Sequence, residues 1–201
     1  MLNEYNTIEK PVENTLLKEK GIKFIGFDFP VNNEAELKNA LEKIRTEHPK
    51  ATHHCYAFRM GLNGENYRAN DDGEPSGSAG LPIYNQLLAN EITNVLVISV
   101  RYYGGTKLGV SGLVKAYKES AKITLEEAQI ITKELETEIE IQFQFNQQNL
   151  IFTLLSKFDA KVLNFDSQQT AVISARIKLK HKDAITESLN NIQYVICKII
   201  E

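Results

Sequence analysis

Glu138-Ile139-Glu140-Ile141-Gln142-Phe143-Gln144-Phe145 alternates polar and apolar residues without a break. A strand turns successive side chains to opposite faces, so Ile139, Ile141, Phe143 and Phe145 are expected on one buried face. Downstream the period switches. Gln147 to Lys157 reads as a helix with Leu150 and Leu154 inward, joined by Ile151 and Phe158. Ala160 to Phe165 and Ala171 to Lys180 read as strands, joined by a hairpin turn at Asp166-Ser167-Gln168-Gln169. Lys182 to Asn191 reads as a short helix, and Tyr194 to Ile200 closes the sheet. Strand, helix, strand, strand, helix, strand is the ferredoxin-like split βαβ repeat: a four-stranded sheet with two helices on one face. That superfold hosts many functions and assigns none.

Upstream, a short leader precedes a strand from Lys23 to Val31, with Pro30 at a strand end or edge. Asn33 is placed to cap a helix over Glu34 to Glu47, whose inward stripe is Leu37, Ala40, Leu41 and Ile44. Thr52 to Met60 reads as a strand with His53, Cys55 and Ala57 on one face and His54, Tyr56 and Phe58 on the other. Asn63-Gly64 is a turn signal leading into Tyr67-Arg68-Ala69. Leu81 to Asn90 reads as a helix that tolerates Pro82 in its first turn. Val95 to Val100 is a continuous apolar run, the pattern of a central strand. A long helix starts at Ser111 and reaches about Glu127. Its lysines Lys115, Lys118 and Lys122 share a face, while Leu113, Ala116, Tyr117, Ser120 and Ala121 lie toward another. The expected organisation is α+β with two domains, residues 1–130 and 131–201.

The chain has 201 residues and a formal charge of −3, so no global basic field exists and any nucleic-acid contact must use a local patch. Met1-Leu2-Asn3-Glu4-Tyr5-Asn6 lacks a basic start and an apolar run, so no signal peptide is expected. No stretch approaches the length of a membrane span. Cys55 and Cys197 sit far apart without a motif, which argues against a disulfide framework. These readings point to a reduced, cytoplasmic protein without a membrane partner.

Chemistry concentrates in two glycine-rich segments around the central strand. Asp71-Asp72-Gly73-Glu74 brings three carboxylates close together, as a divalent-metal site, an acid–base pair or a solvated turn. Ser76 and Ser78 precede the second helix and read as caps or as part of an anion cradle; no nucleophile elbow, P-loop or dinucleotide fingerprint is present. His53 or His54 can complete a pocket with the acidic loop, while a structural zinc is not expected because adjacent strand residues face apart. On the basic side, Arg101 and Lys107 are suited to phosphate, Gly104-Gly105 to close backbone approach, and Tyr102 or Tyr103 to stacking on a base or packing in the core. Lys115, Lys118 and Lys122 extend the positive charge along the helix. A lysine face is also the ordinary composition of a solvated helix.

Asp71-Asp72-Gly73-Glu74-Pro75-Ser76-Gly77-Ser78-Ala79-Gly80 and Arg101-Tyr102-Tyr103-Gly104-Gly105-Thr106-Lys107-Leu108-Gly109 together resemble the paired motifs of the IMPACT family, and the whole chain resembles its bacterial YigZ branch from Gly21 to Ile200. Ser78 and Ser111 look like small-residue variants of Thr and Gly in that pattern. The resemblance implies an N-terminal domain with the ribosomal protein S5 domain 2-like fold, and a C-terminal ferredoxin-like domain similar to the last domain of elongation factor G. Eukaryotic relatives regulate translation during amino-acid starvation by competing for an activator of a protein kinase, and they carry a further N-terminal protein-interaction domain. That domain is not read here, so the kinase-regulating role is not expected to transfer. An old dipeptidase label attached to some members has no support in the residues, since His-Glu-x-x-His is absent.

The expected function is an RNA- or ribosome-associated regulator of translation, with Arg101, Lys107, Lys115, Lys118 and Lys122 on phosphates and Tyr102 on a base. The acidic loop would position the basic one or meet a protein partner. No cofactor is expected. The alternative is a metal-assisted enzyme for a small phosphorylated or anionic substrate. It would use His53, His54, Asp71, Asp72, Glu74, Ser76, Ser78, Gly104 and Gly105 as its pocket.

Overall fold

The computed structural model describes residues 2–105, 107–167 and 170–200. The chain divides into two compact units, one of residues 5–133 and one of residues 134–201 with the first four residues.

In the first unit, β1 (Glu4–Ile8), β2 (Val12–Glu19) and β3 (Ile22–Pro30) precede α1 (Glu34–Glu47), β4 (His53–Met60), β5 (Asn66–Asn70), α2 (Gly80–Ala89), β6 (Val95–Tyr102) and α3 (Gly109–Glu127). β7 (Ile130–Glu134) pairs with β1 in a two-stranded ribbon. The other five strands form one antiparallel sheet in the order β2-β3-β6-β4-β5. The apolar run read as a central strand is β6, buried from Val95 to Val100. Both sheet faces are covered. Leu37 and Ile44 of α1 pack against Phe27, Phe58 and Ile98, while Ile83 and Leu87 of α2 and Leu113 and Tyr117 of α3 pack against Phe24, Ala57 and Val97. The alternation read along β4 is what divides its residues between these two cores.

One expectation is corrected here. The supposed leader contains β1 and β2. Most of the β2 side chains are exposed and Thr15 alone is buried, so it is an edge strand defined by pairing with β3 and not by an apolar pattern.

The second unit contains β8 (Glu136–Phe143), α4 (Gln148–Lys157), β9 (Lys161–Asp166), β10 (Ala171–Lys178), α5 (Lys182–Asn190) and β11 (Ile196–Ile200). Its antiparallel sheet runs β11-β8-β10-β9, the ferredoxin-like order. Ile139, Ile141 and Phe143 form its core with Ile151, Leu155, Ile185 and Leu189. The fold is α+β: an N-terminal domain built on a five-stranded antiparallel sheet, followed by a ferredoxin-like one.

Two inward assignments change. Phe145 is 62% exposed because β8 ends at Phe143 and the chain enters a 3-10 turn at residues 145–147, where strand alternation stops. In α4 the inward pair is Ile151 and Leu155, with Leu150 exposed. Leu150/Leu154 and Ile151/Leu155 are both apolar pairs four apart, so periodicity alone cannot choose between them. Of the expected hairpin turn, Gln168 and Gln169 lie outside the described residues.

Candidate functional site

The acidic segment is ordered by its own carboxylates. Asp72 and Gly73 both have positive φ, 43° and 88°, and the Glu74 N–H donates to the Asp71 carbonyl at 2.8 Å to close the turn. Asp and Gly are suited to that left-handed pair. Asp71 then reaches forward to α2, whose N-cap Ala79 has no acceptor of its own. Asp71 Oδ1 accepts from the N–H groups of Ala79 (3.0 Å) and Gly80 (2.8 Å), and Oδ2 from Gly77 (2.9 Å). A carboxylate at a helix N-terminus is favoured by the orphan donors and by the dipole. Gly80 is required there, because a Cβ would lie 2.4 Å from the Asn70 nitrogen.

Asp72 points elsewhere. Its Oδ2 accepts from the His54 N–H at 2.7 Å and its Oδ1 lies 3.2 Å from the Arg45 guanidinium. The Asp72 carbonyl accepts from His53 Nδ1 at 2.7 Å. A carbonyl can only accept, so Nδ1 carries the proton and Nε2 faces Glu74 Oε2, 3.8 Å away. His54 lies on the opposite sheet face and donates through Nε2 to the His48 carbonyl at 3.1 Å. Burial holds its pKa below the usual histidine value, which keeps the ring neutral at neutral pH.

Glu74 is the centre of the arrangement. Its side chain is only 3% exposed. His53 and Arg101 are register partners on β4 and β6, and Glu74 lies over both. Arg101 Nε is 3.0 Å from Glu74 Oε1, yet its N–H is not aimed along that line, so the contact is an ion pair without a directed hydrogen bond. The directed bond to Oε1 comes from the Tyr117 hydroxyl on α3, at 2.6 Å. Cys55 Sγ lies 3.3 Å from the Tyr117 oxygen and 3.0 Å from the Asp71 carbonyl. Burial pushes both the Cys55 thiol and the Tyr117 phenol far up, so each stays protonated. This cluster joins β4, β6, α3 and the acidic loop, and holds no activated nucleophile. Ser76 is exposed, and Ser78 is buried and donates to the Pro75 carbonyl at 2.6 Å.

The basic segment leaves β6 at Tyr102, whose hydroxyl lies 2.9 Å from His48 Nδ1. Gly104 then passes against Gly21 at the tip of the β2–β3 hairpin; a Cβ on Gly104 would stand 2.1 Å from the Gly21 oxygen. Between that hairpin and α3 lies a groove of about 620 Å³ whose charged lining is Lys20, Lys115 and Lys118 together with Glu19 and Glu119. On the other side of the hairpin tip is a cavity of about 330 Å³ lined by Gly21, Lys23, Ile25, His48, Tyr102 and Tyr103.

The sequence matches the Impact N-terminal domain over residues 20–125, the span that carries both segments and the Glu74 cluster. This chain belongs to the IMPACT family. It is 38% identical over 144 residues to IMPACT family member YigZ of Escherichia coli (strain K12), covering 71% of this chain and 70% of that one. It is 36% identical over 135 residues to IMPACT family member YvyE of Bacillus subtilis (strain 168), covering 67% and 62%. The crystal structure of a hypothetical protein, 29% identical, superposes over 100% of this chain and 99% of its own length with a TM-score of 0.72. These relatives put the chain in the YigZ-like bacterial branch of the IMPACT family.

Within this IMPACT domain the two glycine-rich segments meet through Glu74 and Arg101, which commits the Arg101 charge to an internal partner. Lys107 is exposed on the loop, and Thr106 lies outside the described residues. Lys122 faces away into ion pairs with Glu119 (4.0 Å) and Glu126 (3.6 Å). Gly105 is exposed and its carbonyl accepts from the Tyr103 hydroxyl at 3.0 Å. Asp71, Asp72 and Glu74 point to three separate tasks, and among the described residues no three His, Cys, Asp or Glu side chains converge as a metal-ligand set. Among the described residues no helix is long and apolar enough to cross a membrane.

Sequence reasoning missed Tyr117, His48, Lys20 and Lys23. Tyr117 carried a usable signal, since a tyrosine on the apolar face of a helix needs a partner for its hydroxyl. Lys20 carried none, because the β2–β3 hairpin whose tip it occupies was read as a leader.

Proposed function

We propose that this IMPACT family member is an RNA- or ribosome-associated regulator of translation in the cytoplasm, and that the groove between the β2–β3 hairpin and α3 receives a phosphate backbone. The observation that carries the reading is the convergence of Lys20 with Lys115 and Lys118 on one concave surface. A solvated helix face needs only its own lysines. A lysine brought in from another element is what a phosphate track requires. Glu119 lies beside Lys122, which reduces its opposition to the groove. Lys107, exposed at the head of α3, extends the positive surface toward the loop. The internal engagement of all three acidic-loop carboxylates favours a binding role over acid–base chemistry. Family membership supports the link to translation, since eukaryotic relatives act there.

The test is fluorescence anisotropy of a labelled single-stranded RNA with the wild-type chain and with Lys115→Ala/Lys118→Ala, across a salt series. Each phosphate contact on a single strand contributes about 0.7 to the slope of log affinity against log salt, so the double variant should lose roughly 1.4 of that slope. Equal affinity and slope in the two proteins would remove the groove from the reading.

A further inference from the structure

We infer that the cavity beside Tyr103 is a subsite for one unpaired nucleobase of the same RNA strand, an inference that rests on the groove reading above. The two concavities are connected twice over by the chain. Lys20 and Gly21 are adjacent at the hairpin tip, and Lys20 lines the groove while Gly21 lines the cavity. Gly104 crosses the tip against Gly21, and Tyr103 lines the cavity while Leu108 lines the groove. A strand following the lysines to the hairpin tip therefore meets the cavity within one short step.

The lining suits a base. Tyr102 and His48 form two walls, their rings 6.0 Å apart between centroids and inclined at 71°, and the Tyr102 hydroxyl is satisfied at His48 Nδ1. Both walls are anchored, Tyr102 by the pairing of β6 with β3 and His48 by the Phe27 ring 5.3 Å away. Tyr103 is 53% exposed at the rim, with its hydroxyl on the Gly105 carbonyl and its backbone N–H on Thr52 Oγ1 at 3.3 Å. A half-exposed ring anchored through its hydroxyl, on a backbone that is itself anchored, is a stacking platform that costs little ordering on binding. Lys23, exposed at the mouth, matches the phosphate attached to a bound nucleoside. At about 330 Å³ the cavity sits at the small end of ligand sites, adequate for a single planar group. Duplex RNA keeps its bases stacked inside the helix, so the subsite selects single strands.

The experiment uses the full chain and two probes: a single-stranded RNA carrying one 2-aminopurine, and the same RNA annealed to its complement. Variants are Tyr103→Leu, which keeps an apolar residue at an exposed position, and Lys115→Ala/Lys118→Ala. The expected result has three parts. The single strand binds at least tenfold tighter than the duplex. 2-Aminopurine fluorescence is quenched on binding. Tyr103→Leu weakens binding about tenfold and removes the quench while leaving the salt slope unchanged. Salt-dependent binding that the lysine variant weakens, but that Tyr103→Leu leaves intact with equal duplex affinity, would overturn the subsite and leave the groove reading standing. Absence of RNA binding by the wild-type chain would overturn both.

Discussion

The Tyr117 hydroxyl donates a 2.6 Å hydrogen bond to Glu74, tying the middle of α3 to the loop that precedes α2. With Arg101 3.0 Å from the same oxygen, this carboxylate joins the two glycine-rich segments that are 27 residues apart in sequence, from Glu74 to Arg101. Removing either partner has different consequences. Tyr117→Phe deletes one bond and should cost about 1–3 kcal/mol. Glu74→Ala leaves Arg101 buried and uncompensated and should cost roughly 3–5 kcal/mol. Urea unfolding followed by circular dichroism checks the order; equal losses would show that Arg101 gains nothing from Glu74.

A second carboxylate is buried without such compensation. Asp28 on β3 is fully buried; Oδ1 accepts from the Val12 N–H at 2.7 Å and Oδ2 has no hydrogen-bond partner among the described residues. Burial raises its pKa from 3.8 to about 7, with the Val12 bond opposing and the Glu127 charge adding. The folded state therefore holds a proton that the unfolded chain has released. The associated stability is complete below the unfolded pKa and is lost as pH rises through about 7. Between those limits the contribution falls by about 1.4 kcal/mol per pH unit. Asp28→Asn cannot titrate, so its stability curve should lack that decline. Parallel curves for the two proteins, measured by urea unfolding across pH, would show that Asp28 is ionised in the fold.

Asp71 carries the start of α2 by itself, with three backbone N–H groups on one carboxylate. Asp71→Asn keeps an acceptor but removes the charge, and should cost about 0.5–1 kcal/mol. Asp71→Ala strips the acceptor from all three donors and should cost roughly 2 kcal/mol or more. Amide exchange at Ala79 and Gly80 reads this locally: protection should fall in both variants, most in the alanine. Unchanged exchange in Asp71→Ala would mean that water replaces the carboxylate without penalty.

How much of this was legible in the sequence depends on where the energy of each element comes from. α1 was readable because Asn33 caps it through a 2.9 Å bond to the Glu36 N–H and its apolar stripe faces one core. β8 was readable because one-sided burial writes a period of two, and β4 because apolar and aromatic side chains fill both faces of a central strand. β2 was not, since its pairing with β3 is made by backbone groups common to every residue. The site shows the same division. The acidic and basic segments announced themselves through unusual composition, whereas their meeting at Glu74 depends on the β4–β6 register that sets His53 opposite Arg101. Lys20 joins Lys115 and Lys118 only through the fold, so no local pattern identifies it.

The Gly104–Gly21 contact is the point on which both concavities depend. A Cβ at residue 104 would lie 2.1 Å from the Gly21 oxygen and 2.5 Å from its carbonyl carbon, and neither backbone atom can rotate away as a side chain would. Gly104→Ala therefore has to lift the loop from the hairpin tip, displacing Tyr103 on one side and Leu108 on the other. Overpacking of this kind costs about 1–3 kcal/mol. Residues 134–200 have their own core and should keep their amide-exchange protection. RNA affinity should fall more than in Tyr103→Leu, because the groove and the cavity lose their common wall together. Wild-type affinity in Gly104→Ala, with the expected loss of stability present, would show that neither concavity takes part in binding.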